Sequence, residues 1–520
     1  SFLYYDMENR TKGEETFVVI NTTGEPLSAT QNLKPLLIDR QAKEEQDVCA
    51  QNWEKWEQFF WKNRGKNDTA DNGLKEFFRW IMLLNLDAES DEFKHVQKDG
   101  TYKFDLENIE FDKIDKYFKI VSERLFGGKD TLFPNNKAWL SPDVDGNSQV
   151  VWFRLLTVLE YINRFPDAKE IEIWRVRMFF RNLALVPNIT KAISEVLPEA
   201  IRVIKEMPNA DICSILDLES VSKSLLTEET KAKLGIYRNA ENREEVENAF
   251  WKEEDSKLWS GEILPMIEWA TTDGVFDYNS FKTYRDKFNK VFHDNLEYEE
   301  LDVTRRALLT RNLDKYPRKF KGNTNWCFAW DYEDWKALIN DYVGEFKSFL
   351  DKLDTNDIYK AQNEMIDNNP SDAEYDEFVK IPELLGYCEQ KKIQWWGDEL
   401  GWTLIKGDRA SGEYANLKSY RLYLELKTRF PEDNVWFYST GNTCAVIDEN
   451  EEGSGWAIDA WHTGNDKYSI NLFRRKGSTE NTFGELPSEI ELQWNGERYE
   501  KTDMDAETTI GVIIKLINKL

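Results

Sequence analysis

The chain of 520 residues carries 96 acidic against 68 basic side chains, a formal net charge of −28, with 41% hydrophobic residues and 20 Trp. Every phosphate contact needs a cation, so this balance excludes broad, sequence-blind binding to nucleic acid and leaves room only for a local basic site. A run of ~18 uninterrupted apolar residues is absent, which argues against a membrane span, and the length exceeds one core, so about two to four domains are expected.

The five cysteines (Cys49, Cys213, Cys327, Cys388, Cys444) are odd in number and far apart. With no C-x-x-C pair, neither a disulfide framework nor a zinc ribbon is indicated. The start lacks a basic region followed by an apolar one, as a secretory signal would have, and a cytoplasmic protein is expected.

In chain order, the first informative segment is Phe17 to Ser28. A β-rich run ending at Ile20 breaks into Asn21-Thr22-Thr23-Gly24, and after Pro26 and Leu27 either Ser28 or Thr30 can cap a helix carrying Lys34. A strand, a turn rich in amides and hydroxyls, and a helix start form an anion-holding corner. The plainer reading is ordinary punctuation between two elements.

From about residue 45 to 355 the grammar is helical. Trp53, Trp56 and Phe60 recur at i, i+3 and i+7, and the stretch 74–84 repeats the pattern with Phe77, Phe78, Trp80, Ile81 and Leu84. Residues 150–165 are apolar nearly all round and stop at Pro166, as a buried helix would. Further helices are expected over 170–185, 189–207, 221–234, 243–259, 264–270 and 281–292. Such aromatic stripes mark core rather than a ligand box.

Arg305, Arg306, Arg311, Lys315, Arg318, Lys319 and Lys321 form the densest basic run, expected outside a helix, with Trp326, Phe328 and Trp330 following. Cations interleaved with aromatics suit phosphate contact plus base stacking, which makes Arg311, Arg318 and Lys319 nucleic-acid candidates. Pairing of the same loop with acidic neighbours, its aromatics filling a core, is the alternative.

Asn356 to Asp376 is polar and acidic and is expected to be a linker. Beyond it, about 371–520, the pattern is that of an α+β domain with an antiparallel sheet. Strands are expected from Trp402 and at 435–439, 443–448, 456–461 and 468–474, with a helix at 416–430. A hairpin over Asn495-Gly496 is expected to bring 490–494 against 497–500, and Asp505 to cap a last helix. Asp408 with Glu425-Leu426-Lys427 has the D…E-x-K spacing of PD-(D/E)-x-K nucleases, in which two carboxylates hold magnesium and a lysine steers the attacking water. The same residues fall on an expected amphipathic helix, where Glu425 and Lys427 point to different faces, and a solvated helix is the competing reading. No resident metal set is evident. His95, His293 and His462 stand without partner motifs, and His462 is expected to be structural. No G-x-x-x-x-G-K loop and no G-x-S-x-G elbow occurs, which sets aside P-loop and serine-hydrolase chemistry.

The segment Phe17-x-x-x-Asn21 with Gly24-x-x-Leu27 and Lys34 resembles the ParB-like GmrSD restriction-endonuclease family (domain of unknown function 262). Arg181-Asn182-Leu183, Arg306 to Thr310, Asp334-Trp335-Lys336, Pro382 to Cys388 and Ser419 to Tyr423 are similar to features of its longer members. The resemblance implies a nucleoside triphosphate and magnesium as cofactors and DNA as target. Under it Phe17 positions the strand, Asn21 bonds nucleotide or water, Gly24 admits close backbone approach, and Lys34 meets a phosphate. The family's D-G-Q-Q-R-x-T motif is absent, so the chain is expected to begin inside the first domain, with residues 1–44 as its C-terminal part.

The expected architecture is therefore α+β, mostly α: a partial ParB-like segment, a helical body, and the C-terminal domain. Two functions follow. One is an anti-phage, restriction-type enzyme that uses a triphosphate to act on DNA; the other is a non-catalytic recognition subunit of a defence system. The Trp-rich stretches 326–335 and 395–402 offer interface material for a second copy or another protein.

Overall fold

Apolar residues three and four apart build the first half of the chain. The computed structural model describes residues 29–64, 70–98, 109–126, 146–186, 193–292, 301–311, 332–369, 376–390, 392–395, 402–405, 414–430, 434–437, 445–448, 455–474 and 477–520. The chain is α+β and mostly helical, its main sheet lying near the C-terminal end, and it divides into two compact units, Ser1–Leu264 and Pro265–Leu520.

In the first unit, α1 (Ala29–Asp39) turns Thr30, Leu33 and Leu37 inward. The expected stripe is realised in α2 (Gln46–Asn63), where Trp53, Trp56 and Phe60 are fully buried, and in α3 (Ala70–Asn85), where Phe77, Phe78, Trp80 and Ile81 are. After α4 (Asp91–Lys98), α5 (Phe111–Lys119) runs on through a π-helical turn, Ile120–Leu125. Phe111 stacks on Trp56 at 5.0 Å, and the Trp56 indole N–H donates to Asp115 at 3.2 Å. Each such ring removes enough apolar surface to contribute about 1.5–3 kcal/mol, and edge-to-face geometry adds to that.

Next, α6 (Gly146–Arg164) is buried on nearly every side and ends ahead of Pro166, whose ring disfavours helix in the preceding residue. It packs against α7 (Glu170–Leu183) and α8 (Ile193–Glu206). The helix expected over 221–234 is displaced: α9 (Glu228–Asn239) starts only after Thr227, whose hydroxyl accepts from Thr230 N–H, and runs five residues further. The local cap outweighed the apolar spacing. The helix expected to reach Trp259 is shorter: α10 (Arg243–Glu254) ends at a C-cap on Asp255, and the chain then turns through Ser260 and Gly261 at positive φ.

In the second unit, α11 (Leu264–Trp269) carries the chain across the division to a short hairpin, β1 (Thr271–Thr272) and β2 (Val275–Phe276). Asp277 accepts from Ser280 N–H at 2.7 Å and so starts α12 (Tyr278–Val291) three residues before its apolar pattern begins. There follow α13 (Asp302–Leu309), α14 (Tyr332–Asp341) and α15 (Val343–Lys352). The stretch read as a linker holds α16 (Ile358–Asp367), capped by Asp357 and packed on α13 through Ala361, Gln362, Met365 and Ile366. Its polar outer face had hidden a narrow buried stripe.

Helices α17 (Asp376–Lys380) and α18 (Glu383–Glu389) lead into a three-stranded antiparallel sheet of β3 (Ile393–Trp395), β4 (Trp402–Ile405) and β5 (Tyr414–Asn416). Asn416 then caps α19 (Leu417–Lys427) by accepting from Lys418 N–H.

The remaining strands are β6 (Val435–Trp436), β7 (Ala445–Asp448), β8 (Trp456–Gly464), β9 (Lys467–Arg474), β10 (Gln493–Trp494) and β11 (Tyr499–Met504), ordered β10-β11-β9-β8-β7-β6. Ile458 faces Leu472 and Ala460 faces Ile470 across β8 and β9, and these four pack with Leu422 and Leu426 of α19. Ile513 and Leu516 of α20 (Ala506–Lys519), which Asp505 caps as expected, join the same core. The last hairpin is wider than a two-residue turn: Trp494 pairs with Tyr499, and Asn495 Oδ1 accepts from both Glu497 and Arg498 N–H. The asparagine side chain mimics a backbone turn and shifts the register by two. Among the described residues no helix is long and apolar enough to cross a membrane.

Candidate functional site

Of the residues proposed from sequence, Lys34, Arg311, Glu425 and Lys427 lie within the described residues. Phe17, Asn21 and Gly24 lie outside the described residues, as do Asp408, Arg318 and Lys319. Lys34 lies on α1, whose Leu33 and Leu37 are buried; its ammonium is 3.8 Å from Glu57 of α2, with 33% of the side chain exposed. That is a loose surface pair, worth little in water and open to exchange for a better anion.

On α19, Glu425 pairs with Arg421 at 3.4 Å, one turn back, and the Lys427 ammonium lies 5.7 Å from the Tyr423 ring centroid, also one turn back. Two residues apart on a helix is roughly 200° of rotation, so the carboxylate and the amine serve different faces. Among the described residues no group of three or more His, Cys, Asp and Glu is arranged to hold a metal ion.

The basic run begins inside a helix rather than in a loop. Arg305, fully buried on α13, donates to Asp302 at 3.0 Å and lies over the Trp335 ring, while Arg306 donates to the Val379 carbonyl at 2.8 Å. These two are therefore committed to packing. Arg311 differs. Its Nε is buried without a partner among the described residues, and burial alone pulls its guanidinium below the usual arginine value.

His462 follows its structural reading. It is buried on β8, its backbone N–H donates to Ser419 Oγ at 2.8 Å, and its ring meets Tyr468 edge-on. Burial first, then the nearby Lys418, lowers its pKa to about 4, so it is neutral at physiological pH.

Sequence reasoning passed over the two most heavily invested charge clusters. In the first, Glu76 of α3 is 1% exposed and accepts from Trp80 Nε1 at 2.9 Å, from Trp152 Nε1, and from Arg79 Nε at 3.1 Å. Burial pushes its carboxyl up to about 7, with the Arg79 charge and the indole N–H groups pulling the other way.

The second surrounds a cavity of about 260 Å³ between α7, α9 and α10. Lys233 donates to Glu229, to Glu254 at 2.5 Å and to the Gly261 carbonyl at 3.0 Å, so its three N–H bonds are all used. Asn182 completes Glu254 from α7, and Glu247 accepts from Arg175 at 2.8 Å and Arg243 at 2.6 Å. Burial holds Glu254 above the usual carboxylate range; it also works against the Lys233 charge, but Glu254 and Glu229 outweigh it and keep the lysine protonated. A saturated, protonated lysine is no nucleophile, which removes Schiff-base chemistry here.

A search of known protein families, of curated proteins and of solved structures finds no match to this chain. The chemistry of the site therefore rests on its own geometry. The signal that could have revealed the second cluster is the spacing of charges: Glu229 and Lys233 are one turn apart, and Arg243, Glu247 and Glu254 fall at i, i+4 and i+11, on one helical face. Apolar periodicity is blind to a buried face made of ion pairs.

Proposed function

We propose that the chain is part of a bacterial, cytoplasmic anti-phage protein of restriction type, resembling the ParB-like GmrSD family, that uses a nucleoside triphosphate with magnesium to act on DNA. The observation that carries this reading is at α1. The helix starts at Ala29, directly after Asn21 to Ser28 in the sequence, and its Lys34 is one-third exposed and only loosely engaged by Glu57. That is the disposition a phosphate-contacting lysine requires.

A second reading is favoured by α19. Glu425 and Lys427 each engage a residue of their own helix on different faces, so this pair gives no support to cleavage by the C-terminal domain, and a non-catalytic recognition subunit binding DNA or a protein partner fits it better.

Triphosphate hydrolysis by the intact protein, with and without DNA, separates the two. Under the first reading DNA stimulates turnover, and Lys34→Ala or Asn21→Ala lowers it by roughly 10²-fold with the melting temperature unchanged. Equal loss of turnover and stability would make both residues structural. Absence of turnover and of nucleotide binding would leave the recognition subunit.

A further inference from the structure

The cavity of the first unit has a chemistry that the nucleotide reading does not use. Five carboxylates line it and four basic groups meet them, Arg175 and Lys233 of the lining with Arg243 on Glu247 and Lys231 on Glu228, which leaves an excess of one negative charge. Three aromatic rings, Phe179, Tyr237 and Trp251, share the wall with Leu183, Leu234 and Leu264. Tyr237 is only 7% exposed, and its hydroxyl makes no hydrogen bond with a described residue. The phenol oxygen therefore offers an acceptor that no described residue uses, and a donor in the cavity would meet it. Glu228, 85% exposed at its side chain, leaves one edge open to solvent.

We propose that this cavity binds a small organic cation, a protonated amine carried on an apolar or aromatic body. The ammonium is drawn by the excess of carboxylates, donates to the Tyr237 oxygen and lies against the aromatic faces, while the body fills the space beside Leu183 and Leu234. An anionic ligand is repelled by the same lining. A neutral isostere such as an alcohol loses the charge attraction and keeps the apolar contact and an uncharged hydrogen bond to Tyr237. Glu254 adds to the selectivity. Its second oxygen is held by Asn182, so the carboxylate cannot swing away from the lysine to pair elsewhere, and the cation meets a fixed field rather than a flexible one.

The test uses the full chain and three probes of one shape: 2-phenylethylammonium, 2-phenylethanol and phenylacetate. Titration calorimetry at physiological salt should show the amine binding at least about tenfold more tightly than the alcohol, with no binding of the carboxylate. Tyr237→Phe should weaken the amine several-fold and the alcohol by less, because only the amine makes a charge-assisted hydrogen bond. Leu183→Trp, which fills the cavity, should abolish binding of both while the ligand-free melting temperature is kept. Equal affinity for amine and alcohol, or amine binding that survives Leu183→Trp and so belongs to the acidic surface, overturns the proposal, as does absence of amine binding at millimolar concentration. The probe comparison on the unaltered chain decides even where a variant fails to fold.

Discussion

Glu76 is the residue whose burial has the clearest consequence for stability. Its carboxyl titrates near 7 in the folded chain against an ordinary 4.5, so between those values the folded state holds a proton that the unfolded state has released. The stabilisation is complete below the ordinary value and is lost as the pH rises through about 7. Urea denaturation of the chain should therefore show stability falling from pH 5 to 7, and Glu76→Gln should reduce that slope. It should not erase it, because Glu254 is raised for the same reason and adds a term of the same sign. An unaltered slope would mean that Glu76 is charged in both states. Gly261 is constrained differently. Its φ of +86° suits glycine, and a Cβ there would come within 2.5 Å of the Asn182 carbonyl oxygen. Its own carbonyl accepts from Lys233, so the backbone cannot move off without breaking the network. Gly261→Ala should destabilise by about 1–3 kcal/mol or more, seen as a lower urea midpoint with an unchanged m-value.

At the scale of elements, caps and apolar stripes were legible and buried polar faces were not. The helices carrying Trp53, Trp56 and Phe60, or Phe77 and Trp80, lie where their spacing predicts, because one wide apolar stripe leaves a single way to pack. The strands from Trp456 to Arg474 were equally plain, since Ile458 and Ala460 flank Asp459, and Ile470 and Leu472 flank Asn471. Thr227 and Asn495 illustrate the opposite case: one side chain bonding to a nearby N–H reset a helix start in the first and a hairpin register in the second. The basic run shows how two readings can divide one element. Arg305 and Arg306 belong to the core of the second unit, whereas Arg311 has a desolvated guanidinium with no counter-ion among the described residues, which a phosphate contact would suit. If it serves DNA, Arg311→Ala should lower the slope of log binding constant against log salt by about 0.9, and adding Arg318→Ala and Lys319→Ala should lower it further. A slope that does not move assigns Arg311 to the fold alone.

For the whole molecule, composition was a sound guide to architecture and a poor one to site. Helical dominance and a C-terminal antiparallel sheet follow from periodicity, as does the lack of a spanning helix among the described residues. The clusters around Glu76 and Lys233 do not, because in a chain of net charge −28 a carboxylate reads as surface until its partners are known. What distinguishes Glu254 from the many exposed glutamates is Lys233, twenty-one positions away, and Asn182, seventy-two positions away. That mutual dependence reaches into descent. A chain that lost Lys233 alone would bury carboxylates with no counter-ion, whereas one that exchanged Lys233, Glu229 and Glu254 together for apolar residues of like volume would lose little. Lineages derived from this protein should inherit the trio intact or replace it wholesale, and intermediates should be missing.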